Sequence, residues 1–476
     1  MSLKNQALSG VKWTFLQQVS VQVINFGVQI ALARLLAPDM FGLIAIIIIF
    51  VNVGQKLMDG GMTSSLIRTE SPTQIDYSTV YITNILVSLV IYGVIFHIAP
   101  YIADFYDEDV LTSLIRVLAL KIIIQSMVAV HIAKLTKEMD FKLQLKIQLP
   151  ASIFAGFVGI FLASFGFGVW ALVALNITQA TVYTILGLIF INWTPTLNYS
   201  LDRFKFHFGF GYKLTLSGLI DVIYNDAYRI IIGKYYSPVM AGYFHQAETL
   251  RIFPVNQIST VMGKVTYPLF SNINCDVGLK KAYKLSMRIV ISITAPVMLS
   301  LILVAEDLFH LLFGELWLPA VPFFQILAMA SIIRPISSYN LNILKVKGRS
   351  DLFLKLEVMK KIIGILAMLI GFQFDILGLI ISLSLVSYVW WILEMIVCGR
   401  LIRYSAYEQI KDISPIFLIA LLSFCFSFLI KNNFFIYNLS LISSILIMCT
   451  AYFFVYLFFV FILQREFVNK IKHLIN

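Results

Sequence analysis

Long apolar runs separated by short polar segments dominate the chain, and fourteen such runs can be marked along its 476 residues. In the first half they lie at Val11–Leu35, Phe41–Leu66, Tyr77–Ile98, Leu111–Ala133, Ile147–Phe165, Val169–Ile191 and Phe208–Ile232. The second half continues with Val239–Phe270, Val290–Phe313, Val321–Leu344, Phe353–Ile370, Ile376–Val397, Ile413–Ile430 and Leu439–Leu463. A bilayer core is crossed by about 20 apolar residues in a helix, and runs beyond that length imply tilt or extension past the membrane. The two-residue alternation of a membrane β-barrel is absent, and stretches such as Ile44–Phe50 are apolar throughout. The expected fold is all-α and integral to the membrane, with about fourteen transmembrane helices.

The charged residues between the runs fix an orientation. One set of connections carries Lys134, Lys137, Lys142 and Lys146, then Arg203, Lys205 and Lys213, then Lys280, Lys281, Lys284 and Arg288. Lys345, Lys347 and Arg349 follow, with Lys360 and Lys361 just inside the eleventh run, then Arg400 and Arg403, and finally Arg465, Lys470 and Lys472. The alternate connections are short and often acidic, as in Asp104–Asp109 and Glu306-Asp307. Excess lysine and arginine marks cytoplasmic loops, so both termini are expected in the cytoplasm, which requires an even number of helices.

Composition narrows the class further. Hydrophobic residues make up 59% and charged residues 13%, against about 25% charged in soluble domains. The net charge of +11 sits in the loop clusters, which suits an anionic leaflet and argues against nucleic acid as a partner. Cys275, Cys398, Cys425 and Cys449 are widely spaced without a CxxC, so neither a disulfide framework nor a metal site is indicated. The first run carries Gln17, Gln18, Gln22, Asn25 and Gln29, a poor core for a cleavable signal peptide, and reads as a retained helix.

An internal repeat is visible. Leu35-Leu36-Ala37-Pro38-Asp39-Met40-Phe41-Gly42-Leu43 matches Tyr235-Tyr236-Ser237-Pro238-Val239-Met240-Ala241-Gly242-Tyr243 in its proline, methionine and glycine, at an offset of 200. Val117-Leu118-Ala119-Leu120 echoes Ile326-Leu327-Ala328-Met329 at a similar offset of 209. The copies are separated by an even number of helices, so the two six-helix repeats are parallel, a known transporter plan with substrate between the halves. The expected organisation is residues 1–200, residues 201–405, and residues 406–476 with two further helices and a cytoplasmic tail. Those last two helices, rich in Phe and Leu, read as a lipid-facing appendage.

Polar groups at bilayer depth are costly and mark functional sites. The second run carries Asn52, Gln55, Lys56 and Asp59 along one side, and the first carries the stripe Gln18, Gln22, Asn25 and Gln29. Arg116 and Lys121 lie in the fourth run, Asp221, Asn225, Asp226 and Arg229 in the seventh, His245, Glu248 and Arg251 in the eighth, and Arg334 in the tenth. If the repeats face one another, these helices would line a cation-rich cleft suited to phosphate groups. The bland readings stand beside this one. Asp221 with Arg229, or Glu248 with Arg251, could be structural ion pairs, Lys56 could snorkel, and the glutamines could join helices. Lys264 and Glu394 read as interfacial residues, and His97 and His131 as interfacial or packing residues. No GxxxxGK[ST] or HExxH motif occurs, so neither a P-loop ATPase nor a zinc peptidase is indicated.

Several segments resemble a known family. Ile231-Ile232-Gly233-Lys234, then Gly242-Tyr243, Ala247, Leu250 and Pro254, and Tyr267-Pro268-Leu269-Phe270-Ser271 are similar to the seventh and eighth helices of Wzx-type polysaccharide flippases. Ala33-Arg34-Leu35-Leu36-Ala37-Pro38 with Phe41-Gly42, and Met139-Asp140-Phe141, resemble the same family, the polysaccharide branch of the multidrug/oligosaccharidyl-lipid/polysaccharide exporter superfamily. The length and Met139-Asp140-Phe141 lean toward its colanic- or teichuronic-acid exporter subgroup. The resemblance implies two six-helix bundles plus two helices in a bacterial cytoplasmic membrane. It also implies transfer of undecaprenyl-pyrophosphate-linked oligosaccharide to the outer leaflet, coupled to a proton or sodium ion and needing no cofactor. Expected partners are the lipid-linked substrate, membrane lipid, a polysaccharide polymerase and other assembly proteins.

On that reading Arg116, Lys121, Arg229, Arg251, Arg334 and Lys56 are the candidates for holding pyrophosphate or acidic sugars. Asp221, Asp226, Glu248 and Asp59 are candidates for the coupling ion, and Gln18, Gln22, Asn25, Gln29, Asn52 and Asn225 for polar lining. No catalytic residue is expected. A cation-coupled drug exporter of the same superfamily is the alternative, disfavoured by the basic residues. A membrane polymerase or ligase would need a long outer loop that the sequence lacks.

Overall fold

The computed structural model describes residues 3–271, 273, 275–433, 440–467 and 469, and it contains no strand among them. The side chains of Lys264 and Lys345, and the tail lysines Lys470 and Lys472, lie outside the described set. Contacts divide the chain into one unit ending at His245 and a second beginning at Gln246.

The first unit holds α1 (Leu3–Leu35), α2 (Pro38–Asp59), α3 (Met62–Arg68), α4 (Gln74–Tyr106), α5 (Val110–Leu118), α6 (Leu120–Lys137), α7 (Phe141–Ser164), α8 (Val169–Phe190) and α9 (Leu201–Tyr235). The helix α10 (Pro238–Ser271) begins in it and continues into the second unit. There follow α11 (Asp276–Leu303), α12 (Ala305–Leu312), a 3-10 turn at Glu315–Ala320, α13 (Val321–Ser331), α14 (Arg334–Val346), α15 (Ser350–Phe372), α16 (Ile376–Leu401), α17 (Ala406–Asn433) and α18 (Leu441–Leu463). Among the described residues, eleven segments are long and apolar enough to cross a membrane. The helices α9, α10 and α15, of 35, 34 and 23 residues, are long enough as well, but they carry more charge.

Local chemistry sets the helix ends. Pro38 opens α2, where its missing N–H costs nothing. The second apolar run was expected to continue to Leu66, but it stops at Asp59. Gly60 and Gly61 turn left-handed there, with φ of 54° and 68°, and α3 restarts in a new direction. Thr73 and Asp76 form a capping box on α4, the Thr73 amide donating to Asp76 at 2.7 Å. Met139-Asp140-Phe141 has a local explanation: Met139 adopts φ 58°, and Asp140 caps α7 by accepting from the Leu143 amide at 3.0 Å.

Two spans are broken. The fourth run divides at Ala119 into α5 and α6. The tenth divides at Ile332-Ile333 between α13 and α14, where Pro335 cannot supply an N–H to the preceding turn. The Ile332 carbonyl, left when the Ile336 amide turns to Ile333, accepts from the Thr294 hydroxyl of α11 at 3.1 Å, a hydroxyl shared with Val290 of its own turn.

Within the first unit, α2 lies against α9 and the start of α10 through glycine. A Cβ on Gly42 would collide with the Pro238 carbonyl, and one on Gly242 with the Pro38 carbonyl. The two copies of the repeated proline–glycine motif therefore meet backbone to backbone. At the other end Gly61 and Gly211 make a contact of the same kind.

In the second unit, α17 and α18 are more than a lipid-facing appendage. Tyr456 donates to the Ser292 carbonyl of α11 at 3.0 Å, and Tyr452 is fully buried. Lys431 pairs with Asp307 at 3.2 Å, and Arg288 donates to Gln464 at 2.7 Å. One face of each helix remains apolar and exposed, including Leu422 and Phe454.

Candidate functional site

The polar residues of the first helices are used in two ways. On α1, Gln17 faces α7 and donates to Gln148 at 2.6 Å, while Gln18 and Asn25 are exposed and Gln22 and Gln29 half-buried. One side of α1 thus packs and the other presents amides. On α2, Asn52 is half-buried and Lys56 is exposed beside Gly218 of α9. Gln55 donates to Gln125 of α6 at 2.6 Å, and the Thr63 amide of α3 donates to Asp59 at 3.3 Å. Gln55, Asp59, Thr63, Gln125, Thr136 and Tyr183 contribute to one open cavity of about 360 Å³ in this unit.

The cations of the broken fourth span are engaged locally. Arg116 stacks 4.1 Å from the Phe96 ring and donates Nε–H to the Phe96 carbonyl at 3.2 Å. Lys121 donates to Asn176 of α8 at 3.1 Å. On α9, Arg229 pairs with the buried Asp226 one turn earlier, and Asp221 and Asn225 are exposed one turn apart. On α10, Arg251 is 3.4 Å from Glu248 and donates to Ser331 of α13 at 3.0 Å. Arg334 is exposed at the first residue of α14, beside the break. Within each unit these contacts join the residues named from sequence to near neighbours.

Two polar centres escaped the sequence reading. In the first unit His207 of α9 is completely buried, with Nδ1 2.9 Å from the Ser65 hydroxyl and Nε2 3.1 Å from Asp76. With Nε2–H donating to Asp76 and Ser65 donating to Nδ1, every polar atom is satisfied. Arg203 adds a second cation 3.5 Å from Asp76. His131 is a packing residue, buried edge-on to Trp193 with Nε2 3.2 Å from its carbonyl.

The second centre corrects the interfacial reading of Glu394, which is fully buried on α16 and ion-paired to Lys360 of α15. Lys360 also lies 3.2 Å from Glu357, and Asn340 of α14 donates to Glu394 at 3.5 Å. Tyr283 of α11 donates to the Asn340 side-chain amide oxygen and stands 3.2 Å from Gln409 of α17. Gln409 in turn donates to the Tyr404 carbonyl at 2.9 Å. Tyr404, between α16 and α17, is held protonated by burial and by the Asp412 carboxylate to which it donates; both push its phenol well above the ordinary range. The signal for this centre was a lone carboxylate in the apolar run Ile376–Val397, together with Glu357 and Lys360 at helical spacing. Nothing in the sequence says that the two helices pair. Among the described residues no group of His, Cys, Asp or Glu is arranged to hold a metal.

A sequence model of the family described as "Polysaccharide biosynthesis protein" matches residues 31–322, more than half of the chain. The chain belongs to this family. Its match to the lipopolysaccharide biosynthesis protein WzxC of Escherichia coli strain K12 is 25% identical over 416 residues, covering 86% of this chain and 84% of that protein. The teichuronic acid biosynthesis protein TuaB of Bacillus subtilis strain 168 is likewise 25% identical, over 74% of this chain and 73% of its own. Among solved structures, the lipid II flippase MurJ in an inward closed conformation superposes with a TM-score of 0.78, at 14% identity, over 96% of this chain and all of that one. The fold is that of this all-helical transporter class. The family match includes Lys56, Asp59, Arg116, Lys121, Asp221, Asp226, Arg229, Glu248 and Arg251, and ends before Arg334, Lys360 and Glu394.

Proposed function

We propose that this family member is a flippase that moves a lipid-linked oligosaccharide from the cytoplasmic to the outer leaflet of the bacterial cytoplasmic membrane. It would act as a transporter and not as an enzyme, with fourteen spans arranged as six, six and two and both termini inside. The relatives named for lipopolysaccharide and teichuronic acid biosynthesis support the substrate class, and the flippase fold supports the movement. Undecaprenyl pyrophosphate fits as the carrier, because its head group is anionic and the polar positions at bilayer depth include several arginines.

The observation that carries the reading is Arg334. It is exposed at the first residue of α14, where a span is broken and half-helix amides begin. Discontinuous helices of transporters turn their N-terminal ends toward anionic substrate groups, and an ionisable side chain at bilayer depth marks a functional position. Arg116, by contrast, is tied to Phe96, and Arg229 and Arg251 are each neutralised by a carboxylate. We assign Arg334 the direct contact with pyrophosphate or acidic sugar, and these three a supporting role. Polymerase and other assembly proteins would receive the substrate after transfer.

The test is a deletion strain complemented with Arg334→Ala, with lipid-linked oligosaccharide assayed separately on each leaflet. Wild-type complementation moves the precursor outward. The variant, inserted at normal level, leaves it on the cytoplasmic face. Full outward transfer by Arg334→Ala removes the assigned contact, and an unchanged leaflet distribution in the deletion strain removes the flippase reading.

A further inference from the structure

The buried centre of the second unit carries one negative charge too many. Glu357 and Glu394 share the single ammonium of Lys360, and among the described residues neither carboxylate pairs with any other cation. With both ionised, the cluster holds a net charge of minus one at a depth where an uncompensated charge is costly. Neighbouring carboxylates resolve such a conflict by keeping a proton on one of them.

Glu394 receives the Asn340 side-chain amide from α14, whose Oδ1 is taken by Tyr283 of α11. The other titratable groups nearby are the phenols of Tyr283, Tyr339 and Tyr404 and the thiol of Cys398, all neutral acids near pH 7. Lys361 follows Lys360 on α15 and is half-buried there. Glu357 has 30% of its side chain exposed while Glu394 has none. The pair therefore has one partly exposed and one sealed member, bridged by a single lysine.

We propose that Glu357, Lys360 and Glu394 form a proton-binding site. A proton from water joins one carboxylate oxygen, no other covalent bond changes, and the cluster becomes neutral. With the proton on Glu394, Lys360 keeps Glu357 as its one ionised partner, on its own helix. Without the proton, Lys360 ties α15 to α16 through Glu394. Proton occupancy thus sets how firmly these two helices are held together, which is the form of switch an ion-coupled transporter needs. The assignment stands on charge balance and geometry and is independent of the transported substrate.

The site has built-in reporters. Trp390 lies 5.9 Å from the Lys360 ammonium, and Trp391 follows it on α16. The test is tryptophan fluorescence of the full chain in lipid nanodiscs, titrated over about pH 5 to 9, between the ordinary carboxylate and lysine ranges. A Trp193→Phe background removes the signal of His131, whose ring is 4.7 Å from that indole. A one-proton transition is expected, lost in Glu394→Gln and in Glu357→Gln and silent in Trp390→Phe. Glu357 is partly exposed, so its variant keeps the test decisive should Glu394→Gln fail to fold. Absence of the transition in the parent, or its persistence in Glu357→Gln, overturns the proposal. Replacing choline chloride with sodium chloride at fixed pH should change nothing; a sodium-specific response overturns the proton in favour of a metal cation.

Discussion

Gly42 and Gly242 show how little room a single atom has. A methyl group on either would fall within bonding range of a carbonyl oxygen, on Pro238 or Pro38, and backbone cannot swing aside as a side chain does. Overpacking of this kind typically costs about 1–3 kcal/mol, so Gly242→Ala should lower the thermal midpoint in detergent clearly. Gly93→Ala, at a position with nothing within 4 Å of the added atom, should leave it unchanged. Equal midpoints for the two variants would show that α2 and α10 do not approach as described. The sequence announced these glycines through their repeated setting, but not what each one touches. His207 lay further beyond reach. A histidine six residues into α9 gives no sign that Ser65 and Asp76, both far away in sequence, will bracket it, because three helices must first assemble.

At the scale of elements, most of the helices could be read from apolar runs, and their ends from caps and prolines. What the runs concealed were the breaks. Pro335 sits inside a run apolar enough to pass for one continuous helix, and only the packed structure shows Thr294 of α11 answering the freed carbonyl of Ile332. Thr294→Val keeps the shape and removes the donor. A buried carbonyl left without a partner costs about 1–3 kcal/mol, so this variant should unfold several degrees below the parent, whereas Ser113→Ala on an exposed turn of α5 should not. An unaltered midpoint for Thr294→Val would mean that the break does not depend on its hydroxyl. The pairing of α15 with α16 was hidden for another reason. Lys360 and Glu394 belong to different helices, and each alone reads as a residue near a membrane surface.

For the molecule as a whole, composition and loop charge did most of the work, since both report directly on the solvent around each segment. On the orientation expected from loop charge, the connection between α10 and α11 faces the cytoplasm; Cys275 caps α11 there and is exposed. A membrane-impermeant maleimide should therefore label Cys275 in inside-out vesicles and not in intact cells, while buried Cys398 stays unlabelled in both. Labelling of Cys275 from outside would invert the orientation. The candidate site was less legible than the topology. The intramembrane charges could be found in the sequence, but which of them are neutralised by a neighbour depends on helix rotation, and a one-residue change in facing separates Asp226, paired with Arg229, from the exposed Asn225.

The contact between Gly42 and Gly242 also has a consequence in time. Its two sides are 200 residues apart in the chain, and synthesis proceeds at about 5–20 residues per second. The start of α2 thus waits on the order of 10–40 s before the partner that covers it has been made. Throughout that interval Gly42, a small residue of the kind at which helices approach closely, lacks the backbone that covers it in the folded chain. The nearest surface shaped to fit it is then the same motif on another nascent chain. The ribosome's pace across the intervening helices, as much as the final packing, decides whether the motif closes on itself or on a neighbour.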